Sequence, residues 1–460
     1  MPTRREFLKQ SALLTAGAAL ANNSFALNLL SKPKIIILGA GFAGLAAGKM
    51  LVENGYDVTI LEARNRTGGR VFSYDIDDGV DNSVDNKDDL VIELGAEWIG
   101  QSHERLLELC KELNVELKDN RFKDRLIYDN VFYKPGEWDY SPEWKEKFSK
   151  IIKDYGTMTE ADKKALDKMD WWRFLMNNDI PQKDLDIREY SDSTDFGESI
   201  RFVSAYAALA EYAESSDTNE MDFKAKGGNQ QIINALADKV GQNNIKLGHK
   251  AESVSYGSNI KIRCTNGSSF ECDKLICTLP TYSISKIKWD PLLPADKRNA
   301  INELQYSRIN KSATLFSERF WNDESFSIVT DTFSHYFYHA TKNQNNPKGV
   351  LISYSVGDKA DIISRLNIEA RQKAVADSLN VAFGDVTNLM ITNVNYYWGT
   401  DEYSKGAYAL YGKGQWFTVM PVLKEKVKDI YFAGEHVAEW QGFMEGAINT
   451  GEEAAKEIMS

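Results

Sequence analysis

Cysteine is scarce: the 460 residues contain four. So few cannot staple a chain of this length, which excludes a disulfide-built scaffold. They stand at 110, 264, 272 and 277, with no Cys-x-x-Cys pair. Histidine is nearly as rare, at 103, 249, 335, 339 and 436. His335 and His339 would share one face of a strand, but no carboxylate or thiol stands by to complete a site, so no metal is expected. Positive charge is also short: 55 Lys and Arg face 67 Asp and Glu, leaving −12. Nucleic acid needs a basic surface and is excluded as the main partner, while a cationic ligand is favoured over an anionic one. No apolar run reaches the ~20 residues that span a bilayer. There is no internal repeat and no low-complexity linker. What remains is an ordinary globular composition, 43% hydrophobic and 27% charged. At roughly 100–200 residues per domain, the length predicts two or three domains.

Residues 1–26 read as an address. Arg4, Arg5 and Lys9 form a charged head, Ala12 to Ala21 an apolar stretch, and Ala26 a small residue at a cleavage position. Thr3-Arg4-Arg5-Glu6-Phe7-Leu8-Lys9 is close to the twin-arginine export pattern. Its loss takes away three positive charges and one negative, so −12 becomes −14. The expectation is a periplasmic or exported protein that takes up a cofactor before it leaves. The alternative is an ordinary amphipathic helix.

Residues 34–62 form a strand–loop–helix–strand unit. Ile35 to Leu38 is a buried parallel-strand run, Leu45 to Asn54 a helix stopped by Gly55, and Asp57 to Leu61 a second strand. The acidic stretch 75–89 is expected to be a solvated hairpin tip, since its spacing does not match a calcium loop. Residues 104–223 look mostly helical. Gln230 to Val240 is a helix, and 245–280 a small antiparallel sheet ending in Leu275 to Pro280. A two-residue turn at Asn266-Gly267 sets Cys264 opposite Ser269, so no Cys264–Cys272 bridge is expected. Residues 306–356 are strand-rich, 367–383 helical and 430–434 a short strand. A last helix runs from Gly442 to 459, and no C-terminal membrane anchor is expected.

The chemistry begins at Gly39-Ala40-Gly41-Phe42-Ala43-Gly44. The motif follows a strand and opens a helix, the context a dinucleotide site requires. Gly39 permits the tight turn, Gly41 lets backbone approach a pyrophosphate, and Gly44 lets the helix pack close. The helix N-terminus offers unpaired N–H groups to phosphates. Glu62 ends the second strand, placed to accept from ribose hydroxyls. Ala63 and Arg64 follow, and Gly68-Gly69-Arg70 adds a second backbone-rich loop and a guanidinium near the cofactor.

From this point the chain resembles the flavin-containing amine oxidase family, which includes monoamine and polyamine oxidases. The likeness spans residues 34–458 in the family's order. It continues through Gly95-Ala96-Glu97-Trp98-Ile99-Gly100, Lys226 to Gln231, Phe432-Ala433-Gly434-Glu435-His436 and Gly442-Phe443-Met444-Glu445-Gly446-Ala447. Residues 115–220 carry little that matches. The resemblance implies FAD, held by these loops together with Ala251 and Trp398. It implies an α/β fold: a Rossmann-type FAD-binding domain (32–115, 224–300 and 425–460) interleaved with an α+β substrate-binding domain (116–223 and 301–424). It places Gly434 and Glu435 by the ribityl and pyrophosphate, and the last helix with its N-terminus toward the flavin ring.

On the substrate side, the family places a lysine on the strand that here carries Lys311, where it holds a water against flavin N5. Tyr408 and Phe443 match the walls of an aromatic cage, with Trp440 at the entrance. Monoamine oxidases have Tyr where Phe443 stands. Ala407 stands where monoamine oxidases have the Cys that bonds the flavin, so noncovalent FAD is expected. The implied reaction is oxidation of an amine to an imine and then a carbonyl, with O₂ or a redox protein as final acceptor. The oligomeric state is not legible. A rival of the same fold is an L-amino-acid oxidase. It needs an Arg for the substrate carboxylate, absent from Gly95 to Trp98 but available elsewhere, for example Arg201. Further rivals are a lipid desaturase, a nicotinamide-linked dehydrogenase and a flavin-carrying protein without turnover. Glu211, Glu214 and Asp217 are either a solvated helix face or a site for the distal ammonium of a polyamine.

Overall fold

The computed structural model describes residues 32–77, 80–81, 90–217 and 219–460. The address reading of residues 1–26 falls outside them, as does most of the acidic stretch. Of that stretch, Asp75 is buried at the end of Ser73–Asp75 rather than solvated, and Asp77 pairs with Lys348 at 2.7 Å.

Ile35–Leu38 has no polar face, so it is stable only with both sides covered. It lies at the centre of a five-stranded parallel sheet, in the order Ile245–Lys246, Val58–Leu61, Ile35–Leu38, Lys274–Cys277, Ile430–Phe432. Helices Phe42–Glu53, Gln230–Val240 and Met444–Met459 pack together on this unit. Gly44 makes the first of these contacts. A Cβ there would lie 1.9 Å from the Gly39 carbonyl oxygen, so only glycine lets the helix start this close to the strand.

A second sheet has seven strands, in the order Met390–Tyr397, Ile309–Phe316, Gly349–Val356, Tyr336–His339, Phe326–Thr330, Lys123–Tyr128, Val131–Tyr133. Every residue of Ile309–Phe316 and Gly349–Val356 is buried. Helix Gln182–Phe196 packs against this sheet. It ends at Gly197, whose φ of +69° gives the left-handed stop that glycine adopts at least cost.

Several expectations need correction. Residues 104–223 are mostly helical, as expected, but not throughout. Leu117–Asp119, Lys123–Tyr128 and Val131–Tyr133 are strands. Asp129 and Asn130 both take positive φ, 50° and 58°, which is the two-residue hairpin turn that side-chain composition alone concealed. Residues 274–277 do not close the small antiparallel sheet of 251–272. They are apolar enough to be buried on both faces, and they enter the parallel sheet instead. The turn after Cys264 has three residues, so Arg263 faces Ser269 and Cys264 bonds Ser268. All four thiols are free and buried. The last helix starts at Met444, because Gly442 turns with φ +86° and Phe443 is extended.

Among the described residues, no helix is long and apolar enough to cross a membrane.

Candidate active site

Between the two sheets lies a cavity of about 820 Å³. Its walls come from both halves of the chain, and one end carries the glycine loops. Gly39 turns with φ +104° to free the start of helix Phe42–Glu53. That helix has no side-chain cap and no acid in its first turn, so its leading N–H groups have no side-chain acceptor. A Cβ on Gly41 would meet only the Gly68 carbonyl at 3.9 Å, and one on Gly69 only the Gly41 Cα at 3.6 Å. No protein side chain fills the space these two glycines leave. The Glu62 carboxylate lines the same end. It accepts from the Ala40 and Arg64 N–H groups, each at 2.8 Å. Burial raises its pKa, and those two N–H groups only partly offset the rise.

Two ion pairs fix this end. Arg70 donates to Glu435 at 2.5 Å and to the Ala407 carbonyl at 2.7 Å. Glu435 also accepts from the Ala409 and Gly442 N–H groups, so one carboxylate ties three loops together. Arg64 donates to Asp401 at 2.8 Å. Asp401 accepts as well from the Tyr403 and Ser404 N–H groups. Burial would raise its pKa, but these donors, led by Arg64, hold it well below the usual carboxylate range. Asp401 was not singled out from the sequence, since its partner lies 337 residues away.

The middle of the cavity is aromatic. Trp98, Tyr338, Tyr354, Trp398, Tyr408 and Phe443 line it. Trp398 donates to the Leu94 carbonyl at 2.8 Å, and the Tyr408 hydroxyl to the Asp195 carbonyl at 2.6 Å. Phe443 is backed by His103 at 5.0 Å and Trp440 at 5.7 Å between ring centres. Trp440 supports this wall from behind and does not line the cavity. Gly44 does not line it either; its place is in the helix–strand contact. Phe42, Ala43, Ala63, Gly95, Ala96, Glu97, Ala251, Gly434, Gly442 and Met444 all do.

Lys311 and Glu97 share one wall. Lys311 donates to the carbonyls of Glu93 at 3.0 Å and Gly95 at 2.9 Å, and to Glu97 Oε2 at 2.9 Å. Tyr338 donates to the same oxygen at 2.6 Å, and Lys224 lies 3.5 Å from Oε1. Burial would push the Glu97 pKa up, but the two ammonium groups and the phenol hold it below the ordinary value.

The far wall comes from helices Gln182–Phe196 and Ala205–Glu214. Arg188, Asp192 and Asp195 are spaced four and three apart, so they share one helix face. Arg188 pairs with Asp192 at 3.2 Å and lies over the Phe148 ring at 4.0 Å. Asp195 accepts from the Tyr212 hydroxyl at 2.7 Å. Burial, and then the Asp192 charge, push its pKa up to about 7. The Glu211 carboxylate reaches the cavity with no hydrogen-bond or ion-pair partner among the described residues. Burial and the neighbouring acids raise its pKa well above the ordinary value. Glu214 instead accepts from Tyr155, and it and Asp217 are exposed. Arg201 stacks on Trp172 at 3.9 Å and does not line the cavity.

The sequence model of the flavin containing amine oxidoreductase family matches residues 42–459. The chain belongs to this family. It is 26% identical to amine oxidase [flavin-containing] A of Equus caballus over 93% of this chain and 85% of that protein. It is 25% identical to the B form of Homo sapiens over 93% and 86%. Among solved structures, putrescine oxidase superposes with a TM-score of 0.82 at 21% identity, over 93% of this chain and 99% of that one. Cyclohexylamine oxidase from Brevibacterium oxydans IH-35A superposes with 0.81 at 20%, over 93% and 98%. The protein is therefore an oxidoreductase acting on amines, with FAD as its cofactor. The observed walls suit FAD. The bare glycine loops and uncapped helix face offer room and N–H groups for a pyrophosphate, and the aromatic middle offers room for a flat ring.

Proposed function

We propose that the protein oxidises an amine that carries a second cationic group. The reading rests on one observation. Among the described residues, the arginines lining the cavity (64, 70 and 188) each have a carboxylate partner, while Glu211 has no cationic partner. A substrate carboxylate finds no free guanidinium there, which disfavours an amino acid. A substrate ammonium finds an acid whose burial is otherwise uncompensated.

In this scheme the reacting amine, neutral after losing a proton, lies between Tyr408 and Phe443. Those rings exclude water and orient its α-carbon. The hydroxyl of Tyr408 is spent on the Asp195 carbonyl, so the ring acts as a fixed wall and not as an acid. FAD, held by the glycine loops and Glu62, would supply the acceptor for the α-carbon hydride, with the electrons passing on to O₂ as peroxide or to another acceptor. The C=N product takes up water to give an aldehyde or ketone and release the nitrogen as an amine or ammonia. Ala407 supplies no thiol and none of the four cysteines lines the cavity, which supports noncovalent FAD. The division into a discontinuous FAD-binding part and a substrate-binding part, and export through the residues 1–26, belong to the same proposal.

The test is anaerobic bleaching of the bound flavin. Diamines, chain-matched monoamines and L-amino acids are added separately. Faster bleaching by diamines supports the proposal. Equal rates for diamines and monoamines would remove the second-cation part. Bleaching by amino acids alone would move the reaction to the rival oxidase.

A further inference from the structure

Behind the Phe443 wall lies a polar pair that the amine chemistry does not use. His103 and Glu220 are both 0% exposed, and His103 Nε2 faces Glu220 Oε2 at 3.3 Å. Among the described residues neither atom has a hydrogen bond elsewhere. The Gly100 N–H donates to His103 Nδ1 at 2.9 Å, so that nitrogen carries no proton and the ring proton stands on Nε2, toward Glu220. Burial lowers the His103 pKa to about 4 and raises that of Glu220, so a neutral imidazole stands behind the cage. Each member of the pair holds one wall of the cavity. His103 precedes helix Glu104–Glu112, whose Arg105 and Leu106 N–H groups donate to Glu445 at 3.0 and 2.7 Å. This helix start is thereby fixed to that of Met444–Met459, just after Phe443. The His103 ring meets Phe443 at 5.0 Å and Trp440 at 5.5 Å between ring centres. Glu220 does not line the cavity, but its neighbours Asn219 and Met221 do. Its Oε1 accepts from the Ser216 N–H at 2.6 Å, and its Oε2 fills the space beside Gly100, where a Cβ would lie 1.3 Å away.

We propose that His103 and Glu220 are positioning residues that lock Phe443 to the 219–221 wall and so set how broad an amine the cavity holds. The inference rests on the reading that the reacting amine lies against Phe443. Apolar contacts are not directional, so a ring held by them alone can slide and tilt. A ring held at both nitrogens cannot, because hydrogen bonds fix angle as well as distance. His103 therefore gives Phe443 a rigid backstop, and a narrow amine is kept with its α-carbon aligned. Loosening the pair lets the two walls part. The narrow amine then loses alignment, while a broad one gains room. The loss falls on kcat of the narrow amine, and selectivity moves toward bulk. A merely structural role would lower the amount of folded enzyme and leave that selectivity where it was.

The experiment compares an unbranched with a cyclic primary amine, both oxidised by the parent and equal in number of cationic groups. Glu211 then contributes alike to both, so the result does not depend on the second-cation reading. Bound flavin counts the enzyme in each sample. His103→Leu is expected to keep its flavin and to lower kcat for the unbranched amine about tenfold or more, with KM changed less than about threefold. The ratio of kcat/KM between the two amines should move about tenfold toward the cyclic one. Glu220→Met should give the same shift from the other side. The double variant should add less than about twofold to either single one, because one contact is lost only once. A ratio unchanged within about twofold in both single variants overturns the proposal, and so do losses that multiply in the double variant. Phe443→Ala separates the two readings. If it leaves both amines unchanged, the cage reading fails and this inference with it. If it moves the ratio while His103→Leu and Glu220→Met do not, this inference alone fails. Where His103→Leu does not retain flavin, Glu220→Met decides.

Discussion

Glu211→Gln probes the far wall of the cavity with the smallest change of shape. The parent carboxylate has no cationic partner among the described residues, so its replacement breaks no ion pair in the resting protein. Folding should therefore hold or improve slightly, since a half-buried acid without a cationic partner is a cost. The loss appears only when a substrate brings an ammonium. A bare Coulomb figure for two charges ~4 Å apart is roughly 4 kcal/mol at an effective dielectric of about 20. Desolvation of the ammonium, and the burial and neighbouring acids that disfavour a charged Glu211, take back part of this. The net value expected is that of a charge-assisted hydrogen bond, about 2 kcal/mol. That corresponds to a roughly 30-fold fall in kcat/KM for a diamine. The chain-matched monoamine makes no such contact and should change less than about threefold. Because the distal group is bound alike in ground and transition states, the fall should lie mostly in KM. Steady-state peroxide or dye-reduction assays on both substrates read this directly. An equal loss for monoamine and diamine would refute the reasoning, and so would a loss confined to kcat.

Three further outcomes are expected. Asp195 is pushed up to about 7 by burial and by Asp192, so it is neutral below that pH and charged above it; the preference for diamine over monoamine should grow as pH rises from 6 to 8, and Asp195→Asn should flatten that profile. Gly44→Ala places a methyl 1.9 Å from the Gly39 oxygen, so the helix must move off the strand; a loss above ~3 kcal/mol is expected in denaturant titration, with flavin lost early in the transition. Replacing Arg4 and Arg5 by Lys should keep the protein in the cytoplasm, read by fractionation, while the unaltered chain is exported and shows a mass beginning at Leu27.

How much of this site was legible in the sequence follows from where the partners of each residue lie. The glycine turn, the helix it opens and Glu62 sit within one stretch of about 30 residues, and local backbone rules decide them. The cage walls Tyr408 and Phe443 came from resemblance, and both line the cavity. Glu97 was read as a cofactor contact because its loop is one. It lines the cavity, and its carboxylate also pairs with Lys311, 214 residues away, a pair that no local pattern announces. Lys311 shows the same limit from the other side. The resemblance marks it as a cofactor-side donor, and its bonds to the Glu93 and Gly95 carbonyls and to Glu97 reach 214 to 218 residues along the chain, beyond any local pattern.

The far wall shows a different limit. Arg188, Asp192 and Asp195 share a face by simple helical spacing, and that part could have been found. Their sum could not. Asp192 is paired with Arg188 and accepts from the Trp171 N–H, Asp195 accepts from Tyr212, and Glu211 arrives from another helix with no cationic partner among the described residues. Whether a carboxylate is a solvated surface charge or an unmet demand inside a cavity depends on that balance. Glu214 and Asp217 stand only three and six positions further along, yet they face solvent. The same three acids that read alike in sequence thus divide into one that substrate charge can satisfy and two that water already does.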